Sequence, residues 1–145
     1  MNNLTKFKIL KPTSEVFEAF VDPVKISNFW FSSSSERWEE GKTITLKYEE
    51  YNAELEILIK EIVKNKKIVF QWGANGEGHT ITITLKEMDP NSTIIEVVEE
   101  GFNDSDNDYV NQLIDNKEGW VFMLTSLKAY LEFGINKLRG GLVKD

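Results

Sequence analysis

The sequence predicts an α+β fold in which an antiparallel sheet is covered on its apolar face by one long C-terminal helix. Apolar and polar residues alternate through residues 43–100, with turn signals between the alternating runs, which is typical of half-buried antiparallel strands. An apolar stripe at helical spacing follows, formed by Trp120, Leu124, Leu127 and Leu131. Because the last helix is the only predicted element long enough to cover the sheet, we expect the two to pack together.

The N-terminal region is predicted to form one strand and two short helices. Alternation over residues 6–10 indicates the first strand. Residues 12–15, Pro-Thr-Ser-Glu, mark a helix start, because proline, hydroxyl caps and an acid all suit a first helical turn. Residues 22–23, Asp-Pro, end that helix and open a second one that runs toward residue 30. The four serines at 32–35 are expected to form a flexible polar loop that could act as a lid.

Five further strands are predicted by alternation, and turn-forming residues separate them. These strands cover residues 44–48, 53–60, 68–72, 79–86 and 93–100. The final helix is predicted over residues 119–134, where Gly119 would let the back of the helix lie close to the sheet.

Composition and charge narrow the classes of function. The 145 residues suffice for a single domain, 1–145, and they carry a formal net charge of −7. An acidic chain disfavours binding to nucleic acid or to an anionic membrane surface. The absence of cysteine excludes disulfides, thiolate metal sites and cysteine nucleophiles. Because no apolar run reaches transmembrane length and the N-terminus lacks an apolar signal core, we expect a soluble cytoplasmic protein.

Four segments, in chain order, resemble the heat-shock-protein ATPase activator homologue-like family of the START-like (SRPBCC) helix-grip superfamily. They are the helix pair 12–23 followed by Phe29-Trp30, the strand 68–72 (Ile-Val-Phe-Gln-Trp), the strand 93–102 ending in Gly-Phe, and the helix 119–132. The last segment is the most specific; another branch of the superfamily is the alternative. The eukaryotic activator carries an additional N-terminal domain for the chaperone interaction, for which this sequence has no room. Activation of a chaperone ATPase is therefore not expected from the resemblance.

The resemblance implies a helix-grip fold, with a curved antiparallel sheet wrapped around the long C-terminal helix, two short helices after strand 1, and an apolar pocket between sheet and helix. The candidate ligand-binding residues point into that space or close one end of it: Trp30, Phe31, Trp38, Tyr48, Phe70, Trp72, His79, Ile81, Ile83, Val97, Glu99, Trp120, Met123, Leu124, Leu127 and Leu131. A solid core filled by these same side chains is the alternative.

His79 and Glu99 form the most reactive pair on the predicted inward faces. A register that pairs Ile83 with Val97 puts Ile81 opposite Glu99 and His79 one step diagonal, whereas a slip of two residues puts His79 directly opposite. The pair could be a satisfied polar contact, a polar anchor for a ligand or an acid–base pair.

No metal or cofactor is expected. One histidine is too few for a typical catalytic zinc site. The acids at 104, 106 and 108 lack the glycine and the closing glutamate of a calcium loop, so they are interpreted as a solvated acidic loop.

The leading hypothesis is a non-enzymatic module that binds an apolar or aromatic small molecule. The alternatives are a protein–protein interaction or stress/chaperone cofactor domain, and a weak enzyme of the cyclase or hydrolase kind. On the outer side of the last helix, Phe122, Ser126, Ala129 and Phe133 are expected either to pack under the acidic loop or to form a homodimer contact through Phe122 and Phe133.

Overall fold

The computed structural model of the chain describes residues 2–73, 75 and 78–143. The elements are, in order, β1 (Asn3–Ile9), α1 (Thr13–Val21), α2 (Pro23–Ile26), β2 (Ser33–Ser34), β3 (Thr43–Tyr48), a 3₁₀ turn (Glu49–Tyr51), β4 (Ala53–Val63), β5 (Lys67–Trp72), β6 (Thr80–Asp89), β7 (Ser92–Glu100) and α3 (Tyr109–Phe133).

The strands form one antiparallel sheet in the order β1-β7-β6-β5-β4-β3-β2. The register shifts between Ile59 and Glu61 in β4 and between Glu87 and Asp89 in β6. Such bulges bend a strand and increase its twist, so they help the sheet to curve. The predicted α+β helix-grip fold is confirmed, with the curved sheet around the long C-terminal helix and two short helices after β1.

Polar bonds along β1 fix the position of α3. The Asn3 side chain donates to the carbonyl of Leu113 and to the side-chain oxygen of Asn116, both at 2.9 Å. Further along the helix, the Lys128 ammonium donates to the Lys8 carbonyl at 2.9 Å. These bonds hold the apolar face of α3 against the sheet at one register.

Local sequence signals end α1, begin α2 and end α3 as predicted. The Asp22 carboxylate accepts from the amides of Val24 and Lys25 at 2.8 and 3.2 Å, and Pro23 occupies the first turn of α2. α3 ends at Gly134, whose φ of 70° lies in the left-handed region that favours glycine. This cap turns the chain back across one end of the sheet.

The core contains the inward side chains of the sheet, of α1 and of α3. Its fully buried members include Ile9, Val16, Phe20, Ile26, Ile44, Leu46, Ile57, Ile68, Phe70, Ile81, Ile83, Ile95, Leu124 and Leu127. These alternate with exposed positions in the strands, so the period-2 pattern of the sequence is the pattern of burial.

Three predictions about local structure were wrong. Ser33 and Ser34 form β2, paired with Lys47 and Leu46 of β3, because Ser32 and its neighbours find backbone partners there. The helix α3 begins ten residues before residue 119. Gly119 does not mediate close packing, because a β-carbon built on it would meet no heavy atom within 4 Å.

Among the described residues, no helix combines the length and the apolar character needed to span a membrane.

Candidate functional site

A cavity of about 300 Å³ opens between the end of the sheet and the middle of α3. It is lined by Trp30, Tyr48, Tyr51, Trp72, Glu99, Asp115, Asn116, Gly119, Trp120, Phe122, Met123 and Leu142. The strands β3, β5 and β7 supply the wall opposite α3, and the loop after α2 supplies Trp30. Half of the twelve lining residues are therefore aromatic, and three of the others are polar: Glu99, Asp115 and Asn116.

Glu99 is the buried carboxylate of this cavity. Its residue is only 3% exposed, because it shares the inward face of β7 with Val97. One carboxylate oxygen accepts from the Asn116 amide at 2.9 Å and from the Trp120 indole N–H at 3.0 Å. The other lies 2.8 Å from Nδ1 of His79. Three partners thus offset the cost of burying this group.

His79 reaches Glu99 diagonally, as the first of the two predicted registers requires. Ile83 pairs with Val97 and Ile81 pairs with Glu99, so that register is confirmed. The imidazole also packs edge-on against Phe102, with ring centroids 4.5 Å apart. One third of the His79 side chain remains exposed, and His79 is not among the residues that line the cavity.

Gly101 makes room for that imidazole. Its φ is 125°, and a β-carbon built on it would lie 2.6 Å from Cδ2 of His79. Any larger residue would be strained in its own backbone and would push the imidazole away from Glu99.

The aromatic walls are continuous with the aromatic core. Trp30 lies at the junction, with ring centroids 4.6 Å from Phe31, 6.2 Å from Trp38 and 5.5 Å from Trp120. Most of these contacts are edge-to-face or tilted, which is the arrangement favoured by the ring quadrupoles. The rings that line the cavity are therefore held rigidly from behind.

Residues 134–143 form a strap across the mouth of the cavity. The hydroxyl of Tyr48 donates to the Arg139 carbonyl, and that of Tyr51 donates to the Leu142 carbonyl at 2.5 Å. The Arg139 guanidinium donates to the Trp30 carbonyl at 3.2 Å and pairs with Glu50 at 2.8 Å. Burial raises the pKa of Tyr48 to about 12, so its hydroxyl keeps the proton that it donates to the strap. Leu142 of the strap lines the cavity itself.

The predicted site residues other than His79 fall into two groups. Trp30, Tyr48, Trp72, Glu99, Trp120 and Met123 line the cavity. The remaining apolar candidates fill the core or pack against it: Phe31, Trp38, Phe70, Ile81, Ile83, Val97, Leu124, Leu127 and Leu131. The alternation in the sequence directs the residues of both groups inward. It therefore could not distinguish residues that line the cavity from residues that fill the core.

Sequence reasoning missed six lining residues: Tyr51, Asp115, Asn116, Gly119, Phe122 and Leu142. Helical spacing offered a signal for one of them, because Asn116 lies one turn before Trp120 and on its face. No local signal places Tyr51 or Leu142 there, since each depends on the path of the strap.

The four residues expected on the outer side of α3 do not share one environment. Ser126 is buried and Phe122 lines the cavity, where Gly141 of the strap lies close to its ring, while Phe133 is 69% exposed. The strap therefore covers Phe122, which was expected to pack under the acidic loop or to form a dimer contact.

Chemically, the arrangement offers an apolar, aromatic volume with one fixed carboxylate. Among the described residues, no group of three or more His, Cys, Asp or Glu side chains is arranged to hold a metal ion. An imidazole–carboxylate pair is present, and of its two members only Glu99 is among the lining residues.

The comparisons with known proteins agree on the fold. The chain is similar to a Staphylococcus saprophyticus protein of known crystal structure, at 52% identity over 94% of this chain and 95% of that one, with a TM-score of 0.83. It is similar to the Aha1 dimer from Colwellia psychrerythraea, at 18% identity over 92% of this chain and 98% of that one, with a TM-score of 0.80. It also resembles an HSP90 activator from Plasmodium falciparum, at 19% identity over 92% and 96% of the two chains, with a TM-score of 0.70.

No curated protein sequence matches the chain significantly. The sequence profile described as Activator of Hsp90 ATPase homolog 1-like protein, however, matches residues 11–132, which is most of the chain. That span runs from the start of α1 almost to the end of α3 and includes every lining residue except Leu142. The chain belongs to the Activator of Hsp90 ATPase homolog 1-like family of the START-like (SRPBCC) fold.

Proposed function

We propose that this protein is a non-enzymatic module that binds an apolar or aromatic small molecule between the sheet and α3. The observation that carries the proposal is the cavity of about 300 Å³, walled by aromatic side chains and provided with one buried carboxylate. Small-molecule sites are mostly apolar clefts of roughly 300–1,000 Å³ with few polar groups that fix the ligand's orientation.

The polar side of the cavity suits binding better than catalysis. All three of the donors around Glu99 come from the protein and hold its carboxylate in place. His79 contacts that carboxylate but is not among the lining residues, so Glu99 is the member of the pair that faces a bound molecule. The pair can therefore orient a ligand through Glu99 without a proton transfer.

Gly119 offers a direct test. It lines the cavity and a side chain built there would meet open space, so Gly119→Phe should fill the volume without displacing the core. Gly119→Ala is the matched control, because it changes the same helical position and leaves most of the volume open.

The measurement is tryptophan fluorescence and thermal melting against a panel of aromatic metabolites, flavonoids, fatty acids and sterols. A ligand that binds only the folded state raises the melting temperature by mass action. We expect a saturable rise for the wild-type protein and for Gly119→Ala, and none for Gly119→Phe. A rise that persists in Gly119→Phe would place the ligand elsewhere, and no rise across the panel would contradict the proposal.

A second candidate function is self-association through the end of α3. Phe133 is exposed. Close by in the chain, the apolar residues Ile135 and Leu138 of the strap are 48% and 40% exposed. A relative from Colwellia psychrerythraea is described as a dimer. Sedimentation velocity should then detect a dimer that Phe133→Ser dissociates and that Val110→Ser, at the opposite end of α3, leaves intact; a monomer at all concentrations would contradict it.

A further inference from the structure

We infer that the cavity selects an organic cation: an ammonium group on an aromatic or short alkyl body, with its charge beside Glu99. The inference rests on the proposed function, because it names the class of ligand for the same cavity. Three features carry it: the sign of the charges in the lining, the faces of the aromatic rings, and the acceptor capacity left on one carboxylate.

The charged side chains in the lining are all acidic. Glu99 and Asp115 line the cavity, and no lysine or arginine is among the lining residues that the structure describes. The donors around Glu99 are an amide, an indole and an imidazole, so only His79 can bring a positive charge, and only when it is protonated. A net charge of −7 on the whole chain adds to the attraction of cations toward this opening.

The aromatic lining offers rings to that cation. Trp and Tyr rings carry a negative potential on their faces and attract ammonium or guanidinium groups within about 6 Å of the ring centroid. One ring of this cavity already does so, since the Arg139 guanidinium lies 5.7 Å from the centroid of Tyr48. That guanidinium is also paired with Glu50 at 2.8 Å, so a ring and a carboxylate hold it together. Trp72, Trp120 and Glu99 supply the same two kinds of group to the cavity lining.

Glu99 retains room for one more donor. A carboxylate has about four acceptor sites, and three donors are in place around this one. An ammonium N–H would complete the set and would compensate a negative charge that is almost fully buried. An anionic ligand, such as a fatty acid, would instead bring a second negative charge into the same low-dielectric space, where the described lining residues include no lysine or arginine to offset it.

Three probes that share a phenylethyl body separate the effect of charge on affinity from the effect of shape: phenethylammonium, 2-phenylethanol and 3-phenylpropionate. Each carries a phenyl ring on a two-carbon chain, and they differ in the charge of the end group. Isothermal titration of the wild-type protein at neutral pH and low salt should rank the cation first, at least about tenfold tighter than the alcohol. The carboxylate should bind most weakly of the three.

Two charge-removing variants test the role of Glu99. Glu99→Gln should bring the affinities of the cation and the alcohol to within about twofold of each other. Glu96→Gln is the matched control on the same strand, because Glu96 pairs with Lys6 and Lys86 on the other face of the sheet, away from the cavity. It removes one negative charge from the chain and should keep the ranking of the wild-type protein.

If Glu99→Gln does not fold, the wild-type ranking decides, together with Trp72→Leu, which should weaken the cation more than the alcohol. The inference is overturned, and the proposed binding function stands, if the alcohol or the carboxylate binds the wild-type protein as tightly as the cation. If none of the three probes and no member of the ligand panel binds, the inference and the proposed binding function are both contradicted.

Discussion

Two glycines show how single positions shape the cavity in opposite ways. Gly101 has a backbone conformation that favours glycine, and its missing side chain leaves space for His79. Gly119 lies in the regular helix α3, where its missing side chain leaves space inside the cavity. The first glycine is required by the fold, whereas the second is compatible with alanine and matters to the volume available to a ligand.

The same substitution at these two positions should therefore have opposite effects on stability. Gly101→Ala combines a strained backbone with a contact to the imidazole that is too short, so we expect it to lower the free energy of unfolding by about 1–3 kcal/mol. Gly119→Ala should raise it by about 0.5–1 kcal/mol, because alanine is the better helix former and meets no neighbour.

Urea denaturation of the two variants beside the wild-type protein measures both values. Equal destabilisation by the two substitutions would contradict the assignment, because it would mean that Gly119 is also packed against something. The NMR chemical shifts of the His79 ring add a local readout, since only Gly101→Ala should change them strongly.

At the scale of elements, the strap of residues 134–143 lies against the lining of the cavity. It makes no strand or helix, and its attachments run from its own backbone and Arg139 to Tyr48, Tyr51 and the Trp30 carbonyl. Segments held by a few bonds at the surface open more readily than the sheet behind them. We therefore expect the strap to open without any strand separating, so that its motion affects how fast a ligand enters the cavity.

Arg139→Met should loosen the strap and leave the sheet intact. It removes the ion pair with Glu50, the bond to the Trp30 carbonyl and the cation over Tyr48, while a side chain of similar length remains. A loss of about 1 kcal/mol should speed amide exchange over residues 135–143 about fivefold. Exchange in β6 and β7 should not change.

Hydrogen exchange read by mass spectrometry checks this, with Lys137→Met as the control for an exposed cation of the same segment. Association of a ligand should also become faster in Arg139→Met alone. Unchanged exchange over residues 135–143 would show that the strap is held by Tyr48 and Tyr51 without help from the guanidinium.

For the whole molecule, the sequence predicted what depends on repeating local patterns. Alternation gave the longer strands and their inward faces, because a slip of one residue would move apolar side chains into water. It left two registers open for the β6–β7 pair, since a slip of two residues keeps every face, and the structure selects the one that pairs Ile83 with Val97. It could not give the strap, whose partners Tyr48 and Tyr51 lie about ninety residues away in the chain and whose own residues have no period. It also could not divide inward residues between core and cavity, since that depends on how the large rings pack.

The early start of α3 was missed for a related reason. Its first turns carry mostly polar residues and expose Val110 and Ile114, so they lack the buried stripe that identifies the later turns. Tertiary contacts hold these turns in place, because the side chain of Asn3 on β1 donates hydrogen bonds to Leu113 and Asn116. Because those bonds place Asn116 and Trp120 over Glu99, the polar part of the cavity depends on contacts that no local pattern contains.

The buried side chains of sheet, α1 and α3 form one connected cluster, which supports the prediction that residues 1–145 fold as a single cooperative domain. The fluorescence of the four tryptophans reports on this cluster near the cavity, whereas far-ultraviolet circular dichroism reports on all helices and strands. We expect the two urea unfolding curves to coincide, with a slope of about 1–3 kcal/mol per molar urea. Curves that separate, with fluorescence changing first, would instead mean that the aromatic end of the molecule opens independently of the sheet, and the cavity would then be a flexible site rather than a preformed one.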